Sequence, residues 1–261
     1  MISAVRIKQL KSLHQKKFRR IENKILLEGS RLIDQALSAN AEIEEIWITK
    51  KNFHSQIGKK LIQQIEDKNV PWNIAPHKII RQISDSLNDQ GIIALAPIPA
   101  YKKYQNPPYK SLYLDGISDP GNMGTLLRTA AWFGIKSVFF SSNCVDPFNS
   151  KVVRSAMGAH FYFSNFEADD EMRILHDFTR AGFEILGSDM NGNSIQTLNI
   201  SGTKGWILVL GNEAHGIGDS ARSFITSTVS IPGTKGMESL NVSVAGGILL
   251  HEITSLRSVT N

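Results

Sequence analysis

Apolar positions recur along the chain with two different periods, and their alternation predicts an α/β protein. Segments 111–116 (SLYLDG) and 206–210 (WILVL) are short apolar runs, as expected of buried strands. Residues 122–134 instead carry apolar residues at helical spacing and end at a glycine. After position 110 such strands and helices alternate regularly. The pattern therefore predicts a mostly parallel sheet covered by helices.

The first part of the chain shows a similar but less regular alternation. Residues 3–20 predict one basic helix, and Ser30 is expected to cap a helix over 30–39. Four short strand-like runs follow or separate the predicted helices. The first part is therefore predicted to be a small α/β sandwich.

A segment with neither period separates the two parts. Residues 98–110 (IPAYKKYQNPPYK) contain three prolines among polar and basic residues, which is typical of a linker. We therefore predict a first domain over 1–97 and a second over 111–261.

The charge divides at the same place. Residues 1–110 hold 19 Lys and Arg and 10 Asp and Glu, a net charge of +9, whereas 111–261 hold 10 and 14, a net charge of −4. Within 1–24, eight basic residues face a single acid, Glu22. This asymmetry indicates that the first half meets a polyanion, and nucleic acid is favoured because no amphipathic aromatic face accompanies the charge. A solvated basic helix would explain the charge equally well.

Several classes of protein are disfavoured. No apolar run approaches the roughly 20 residues that span a bilayer, and the amino terminus does not have the pattern of a secretory signal. The single cysteine, Cys144, fits a reducing compartment, so we expect a cytoplasmic protein. The seven histidines show no metal-ligand spacing, and neither a G-x-S-x-G elbow nor a dinucleotide fingerprint occurs. We therefore expect neither a membrane nor a metal partner.

Three segments that follow predicted strands collect Gly, Asn, Glu and Ser, and ligands of open α/β sheets bind at the carboxyl ends of strands. In the first segment, 114–134, Asn122 is expected to cap the helix that carries Arg128 among small residues. An arginine on the surface of an amphipathic helix is the simpler interpretation of Arg128. In the second, 206–218, Gly211 would let the backbone approach a bound group, although an ordinary strand-to-helix turn explains it equally well.

The third segment, 230–253, contains a loop predicted to be flexible, with Gly233 and Gly236. Ser239 or Asn241 then opens a long helix. Two glycines inside this helix, at 246 and 247, each cost roughly 1 kcal/mol relative to alanine and therefore imply a close helix contact. Either a subunit interface or packing within one chain would account for that contact.

Taken together, the three segments resemble a known family. NMGTLLRTAAWFG, LVLGNEAHGI and IPGTKGMESLNVSVAGGILLHE look like motifs one, two and three, in order, of the SpoU (TrmH) family of RNA ribose methyltransferases, within the SPOUT superfamily. The likeness covers 111–261. Residues 16–37 resemble the small ribosomal-protein-like RNA-binding domain that is often fused to this enzyme.

The resemblance implies an α/β-knot fold, in which the parallel sheet threads into a deep trefoil knot, against the general rule that chains avoid knots. It also implies a homodimer that binds S-adenosylmethionine. Carried over position by position, the polar catalytic residues are Arg128, Asn122, Glu213, Ser239 and Asn241. The backbone would bind the cofactor at Leu186, Gly187, Ser188, Asp189, Gly211, Ile231 and Leu240. The basic side chains expected to bind RNA are Lys16, Lys17, Arg19, Arg20 and Arg31.

The same resemblance implies a role for each polar residue in 2′-O-methylation. A guanidinium stays protonated, so Arg128 is not expected to act as the base. We expect it to pair with an RNA phosphate and to orient or stabilise the ribose 2′-oxygen. Asn241 and Glu213 would hold Arg128 or the ribose, and Ser239 would support the loop. The proton would leave through phosphate or water.

Three alternatives remain open. A SPOUT enzyme that methylates a base is disfavoured by the sequence Ser-Leu-Asn at 239–241 in motif three and by Arg128 in motif one. A catalytically silent RNA-binding or ribosome-assembly factor is disfavoured because the polar residues of all three motifs are present, and the basic first half disfavours a small-molecule substrate. Ribosomal RNA is favoured over transfer RNA because the first domain resembles those of ribosomal RNA enzymes. His215 lies in a variable stretch, and its role stays open.

Overall fold

The computed structural model describes residues 2–169, 172–200, 203–234 and 239–256. The helices are α1 Ala4–Ser12, α2 Lys16–Glu22, α3 Ser30–Ser38, α4 Lys50–Phe53, α5 Gln56–Asp67, α6 His77–Ile83, α7 Pro120–Trp132, α8 Ser150–Ala156, α9 Arg173–Ala181, α10 Asp219–Arg222 and α11 Val242–Ser255, with short 3₁₀ turns at Ala159–Tyr162 and Ile195–Thr197. The strands are β1 Lys24–Glu28, β2 Glu45–Ile48, β3 Trp72–Ile74, β4 Ile92–Pro97, β5 Lys110–Leu114, β6 Ser137–Phe140, β7 Asn165–Ala168, β8 Glu184–Ser194, β9 Trp206–Leu210 and β10 Ser227–Ser230. Within the described ranges, no helix is long and apolar enough to cross a membrane.

The chain forms two compact units. The first contains residues 1–100 together with 146–161, and the second contains 101–145 and 162–261. A segment from the middle of the chain therefore belongs, by its packing, with the amino-terminal residues.

The first unit is built on a four-stranded sheet with the order β1-β4-β2-β3. Strand β4 runs antiparallel to β1 and β2, whereas β3 runs parallel to β2. Apolar side chains of α3 and α5 cover one face, and those of α1 and α6 cover the other. This arrangement agrees with the small α/β sandwich predicted from the sequence.

Residues 146–161 complete this unit. Val153 of α8 lies in the apolar cluster formed by α3 and α5. Arg19 of α2 is only 4% exposed; its guanidinium donates to the backbone oxygens of Leu13 and His14 and forms an ion pair with Asp146. The prediction that Arg19 binds RNA is therefore wrong, because its charge is buried and neutralised within the protein.

Arg19 also explains why the predicted basic helix over 3–20 is two helices. In a continuous helix the carbonyls of Leu13 and His14 would accept hydrogen bonds from backbone N–H groups four residues later. Here Arg19 occupies both carbonyls, and the chain turns between α1 and α2. Ser30 does not cap α3 as predicted, because Gly29, at φ 104°, takes the N-cap position.

The second unit contains a six-stranded sheet in which every pair is parallel, with the order β10-β8-β9-β5-β6-β7. This confirms the predicted α/β class and the mostly parallel sheet. The edge strand β7 is missing from the sequence prediction, because only Phe166 of its four residues is buried and no apolar run marks it. Within the predicted linker, Tyr104 packs against Phe139 and Phe178.

The strand order creates a crevice at the carboxyl edge of this sheet. From β5 the chain continues to β6 on one side, whereas β9 lies on the other, so the loops that leave β5 and β9 diverge. Strand β8 also loops out at this edge. Its pairing with β10 passes from Gly187–Thr228 directly to Asn193–Val229, leaving 188–192 outside the ladder.

Helices α7 and α11 pack side by side in parallel. Gly246 makes their close approach possible, because a Cβ atom there would lie 2.5 Å from Leu126 Cδ2 and 2.7 Å from Leu210 Cδ1. Further along, Phe133, which directly follows α7, and His251 of α11 are in edge-to-face contact. The close helix contact predicted from the two glycines therefore lies within one chain.

This contact gives a stability prediction. Gly246→Val should lower the free energy of unfolding by about 1–3 kcal/mol, since the added methyl groups overpack a buried contact. Gly247→Val should change it by less than about 0.5 kcal/mol, because a Cβ at 247 meets only Thr129 Cγ2, at 3.7 Å. Urea unfolding of the two variants measures the difference, and equal stability would contradict the packing argument.

Candidate active site

A cluster of polar side chains joins three loops at the carboxyl edge of the second sheet. Asn122 lies at its centre: its Nδ2 donates to Glu213 Oε1, and its Oδ1 accepts from Asn241 Nδ2 at 3.0 Å. Ser243 Oγ lies 3.4 Å from the same Asn122 oxygen. Three of the predicted catalytic residues are thus brought together by direct hydrogen bonds.

Asn122 is available for this cluster because another residue caps α7. The side chain of Asp119 accepts the Asn122 backbone N–H at 2.8 Å, and Pro120 occupies the first helical position. The prediction that Asn122 caps the helix is therefore wrong. Asp119 fulfils that role, which leaves the Asn122 amide to bridge α7, α11 and the loop after β9.

The loop after β9 carries Glu213, and its own hydrogen bonds fix its conformation. Asn212 and Gly216 exchange backbone hydrogen bonds of 2.9 and 2.8 Å across it. The Asn212 side chain accepts from the Ala214 N–H and donates to the Gly116 carbonyl. A Cβ on Gly211 would lie 2.2 Å from Gly216 C, so the glycine is required by the loop's own backbone.

A buried carboxylate anchors the other end of this loop. Asp115 is buried and accepts the Gly218 N–H at 2.8 Å. The sequence analysis did not assign Asp115 to the site. Its position, directly after an apolar strand at the ligand-binding end of the sheet, could have indicated it.

Of the two residues predicted to begin the last helix, Ser239 and Asn241, it is Asn241 that caps α11. Its Oδ1 accepts the Ser243 N–H at 2.9 Å and caps α11, while its Nδ2 remains directed at Asn122. Ser239 is exposed and has no side-chain hydrogen bond to a described residue. Ser243, which the sequence prediction did not assign to the site, joins the cluster instead. Gly236 of the predicted flexible loop lies outside the described residues.

Arg128 does not join the cluster. It lies on α7 six residues beyond Asn122, which places it roughly 120° around the helix. Its side chain is exposed and has neither an ion pair nor a hydrogen bond to any described residue. Glu213 and Asn241 were expected to hold either Arg128 or the ribose. In the described part of the chain neither contacts Arg128, because both contact Asn122 instead. The guanidinium is therefore free to meet an anion.

The predicted cofactor residues follow three neighbouring strands. Leu186 to Asp189 lie where β8 leaves its ladder, Gly211 follows β9, and Ile231 follows β10. Leu240 directly precedes the α11 cap. Because these strands are adjacent and parallel, the four segments gather at one edge of the sheet.

The charge near these segments is locally balanced. Asp189 pairs with Arg222 at 2.9 Å. Hydrogen bonds from the Asn191 N–H and the Arg222 guanidinium hold the pKa of Asp189 below its ordinary value. Leu186 is fully buried, so its side chain belongs to the core of the sheet. In the described part of the chain, no group of three or more His, Cys, Asp or Glu residues is arranged to hold a metal ion.

Comparison with known proteins shows to which family the chain belongs. The model of the SpoU rRNA Methylase family matches residues 109–251, more than half of the chain. The chain belongs to the SpoU rRNA methylase family. The model of the MRM3-like substrate binding domain matches residues 5–94 of this SpoU methylase. The family resemblance seen in the three motifs and in the first domain is thereby confirmed.

Individual relatives agree with the family models. The 23S rRNA (guanosine(2553)-2′-O)-methyltransferase of Bacillus subtilis is 27% identical over 249 residues, covering 95% of each chain. A solved structure from Porphyromonas gingivalis, described as an RNA methyltransferase of the TrmH family, is 30% identical with a TM-score of 0.83, covering 100% of each chain. The SpoU methyltransferase AviRb of Streptomyces viridochromogenes, solved with the cofactor AdoMet, has the same fold, with a TM-score of 0.82, 20% identity and coverage of 99% of this chain and 100% of that one.

The central position of Asn122 gives a prediction for this SpoU methylase. Asn122→Asp removes the donor to Glu213 and places two carboxylates side by side. Methyl transfer at pH 8 should fall about 10- to 100-fold, the effect of losing a hydrogen bond to a charged group. Repulsion from the neighbouring carboxylate should raise the pKa of the introduced carboxyl above that of a free Asp, and this carboxyl, once protonated, can donate as the amide did. Activity should therefore partly recover as the pH falls towards 5.

The control for Asn122→Asp is Asn69→Asp, which adds the same charge at an exposed position of the first unit, just after α5. Rates measured from pH 5 to 9 should be unchanged in this variant. A pH profile of Asn122→Asp that is parallel to the wild-type profile would contradict the role of the amide.

Proposed function

We propose that this SpoU methylase transfers a methyl group from S-adenosylmethionine to a ribose 2′-oxygen of ribosomal RNA. The observation that carries the proposal is the amide of Asn122, which joins the polar residues of three strand-end loops into one fixed cluster. Such preorganised polar groups suit a reaction in which charge develops on a ribose oxygen.

The residues present fit the proposed cofactor. The gathered segments at Leu186–Asp189, Gly211, Ile231 and Leu240 offer backbone donors and acceptors rather than free charges. Leu240 and Met190 also leave apolar surface exposed on these loops, which suits an adenine ring. Bound there, S-adenosylmethionine would supply an electrophilic methyl group.

We assign Arg128 to the RNA phosphate next to the target ribose. Its guanidinium stays protonated, so it cannot take the hydroxyl proton. Exposed and without a partner in the described chain, it is suited to bind a phosphate through two parallel hydrogen bonds. That contact would hold the 2′-oxygen in position and stabilise charge that develops on it.

We assign Glu213 to the ribose. Asn122 engages its Oε1, and its Oε2 has no partner among the described residues. This free oxygen would accept a hydrogen bond from the ribose hydroxyl, while Asn241 holds Asn122 in the orientation that donates to Glu213. Ser239 would support the loop before α11. The hydroxyl proton would leave through phosphate or water.

Ribosomal RNA is the favoured substrate over transfer RNA. The support is the printed activity of the Bacillus subtilis relative and the substrate-binding model that matches the first unit. The cytoplasmic location and the trefoil knot stay predictions from the sequence and from the family resemblance.

We further propose that two copies pair through α7 and α11. Trp132 is 85% exposed, and Val244 and Ile248 are exposed on the neighbouring helix. Exposed apolar surface of this kind is typical of a protein interface. Arg128 lies one turn before Trp132, so a partner that covers this face would place Arg128 at the interface.

The assignment of Arg128 predicts a separation of binding and catalysis. Arg128→Ala should reduce methyl transfer at least about 100-fold, the typical loss when one oxyanion donor is removed. The affinity for S-adenosylmethionine, measured by calorimetry, should change less than about twofold. Arg128→Lys keeps the charge but not the paired donors, so it should recover activity only partly. Full activity of Arg128→Ala would exclude the assignment.

The proposed dimer predicts an effect on assembly. Trp132→Glu together with Ile248→Glu would place charge in the interface, so the mass measured by light scattering should fall to that of one chain. Leu87→Glu is the control, because Leu87 is 99% exposed in a loop of the first unit. A wild-type protein with the mass of one chain at micromolar concentration would refute the dimer.

A further inference from the structure

We propose that the first unit binds the phosphate backbone of the RNA at the end of its sheet where β1, β2 and β3 terminate. This surface, the cationic edge, consists of Arg31, Lys50, Lys51, Lys78 and Arg81. The inference rests on the proposed function, since it takes RNA as the substrate. It goes further by naming the face that binds the RNA.

Sheet topology brings these residues to the same edge. Glu28, Ile48 and Ile74 are the last residues of β1, β2 and β3, and the pairing sets Glu28 opposite Ile93 and Ile48 opposite both Ile74 and Ile92. All three strands therefore end on the side where β4 begins. The basic residues follow these ends by two to seven positions, on α3, α4 and α6.

The backbone beneath the cationic edge is tightly packed. The Thr49 N–H donates to the Gly91 carbonyl at 2.8 Å, and a Cβ on Gly91 would lie 2.8 Å from Thr49 Oγ1. A Cβ on Gly29 would likewise lie 2.6 Å from Gln90 Oε1. The loop before β4 is thus wedged between the starts of α3 and α4. A rigid base limits the ordering cost when a ligand binds.

The charges of this edge are not neutralised by the protein. All five basic side chains belong to exposed residues, and none has an ion pair or side-chain hydrogen bond to a described residue. Three nearby carboxylates contact other groups, Glu28 with Arg154, Asp85 with Ser150 and Asp89 with His77, and they are outnumbered by the five basic residues. The edge therefore presents a net positive field to the solvent.

The opposite edge of the sheet has the reverse character. Two of its basic residues are paired with acids, Arg6 with Glu45 at 3.3 Å and Lys24 with Glu44 at 2.7 Å. Glu42 precedes β2 at this edge. The unit is therefore polarised, and a polyanion would be steered towards the cationic edge.

The distribution of the charges favours a nucleic acid backbone. They follow three strand ends along the sheet rather than lining one concave pocket, which suits a row of phosphates better than a single small anion. The link between His14 Nε2 and the Ile83 carbonyl brings the start of α2 towards the end of α6. Lys16 and Lys17, predicted from the sequence to bind RNA, would extend the same surface.

The test compares two triple variants of equal charge in the full-length protein. Arg31→Gln/Lys50→Gln/Lys51→Gln removes part of the cationic edge, and Lys59→Gln/Lys60→Gln/Lys68→Gln removes exposed charges along α5 and just after its end. The probe is a transcript of large-subunit ribosomal RNA. Binding is measured across salt concentrations, together with KM and kcat for methyl transfer to that transcript.

For the cationic-edge variant, the slope of log K against log salt should fall in magnitude by about 1 for each phosphate that is no longer neutralised, or about 3 in total. KM for RNA should rise roughly tenfold or more, with kcat within about twofold. The α5 variant should match the wild type in slope and KM. Thermal midpoints of all three proteins should agree, because the substituted residues are exposed.

The contrary results distinguish failure of the docking surface from failure of the proposed function. An unchanged slope and KM in the cationic-edge variant, or equal losses in both variants, would overturn the docking face while leaving the methyltransferase function standing. Displacement of the RNA by a polyglutamate peptide at matched charge concentration would favour an acidic protein partner and would also overturn it. A wild-type protein that binds the transcript normally but transfers no methyl group would instead contradict the proposed function.

Discussion

The distance between α7 and α11 is set by the missing side chain at position 246, and the polar site depends on that distance. Leu126 and Leu210 pack where a side chain would otherwise stand. Because the two helices are parallel, closing this gap also brings their first turns together, where Asn241 reaches Asn122. Glycine in a helix interior weakens the helix by roughly 1 kcal/mol, so the close approach is favoured over local helix stability.

The two units use different physical interactions. The polar cluster of the second unit is held mainly by neutral amides around one carboxylate, and such short contacts depend on geometry and little on salt. The first unit instead presents unpaired charges, whose attraction for a polyanion acts over distance and weakens as salt increases. In the function proposed above, RNA binding and positioning of the ribose would thus rest on interactions that can change independently.

Much of the fold could be predicted because buried parallel strands appear in the sequence as apolar runs, as at 206–210 in β9. Local patterns failed where the partner was distant in sequence. Asp119 and Asn122 are both good caps, and only the position of Glu213 shows why Asn122 is used elsewhere. In the sequence nothing distinguishes Arg19 from the other basic residues of its segment. Only the structure shows that Asp146, far along the chain, lies beside it. Ser243 was missed because its role depends on where two other loops lie.

The placement of residues 146–161 in the first unit has a consequence for biosynthesis. Amino-terminal domains commonly fold while the remainder of the chain is still being made. Here the ribosome must synthesise β5, α7 and β6 of the second unit before Val153 can fill the first core. Until then Arg19, which is buried in the folded unit, lacks the carboxylate of Asp146 that balances its charge. The order of synthesis therefore delays completion of the first core until residues 146–161 have been made, although most of its strands and helices are synthesised well before.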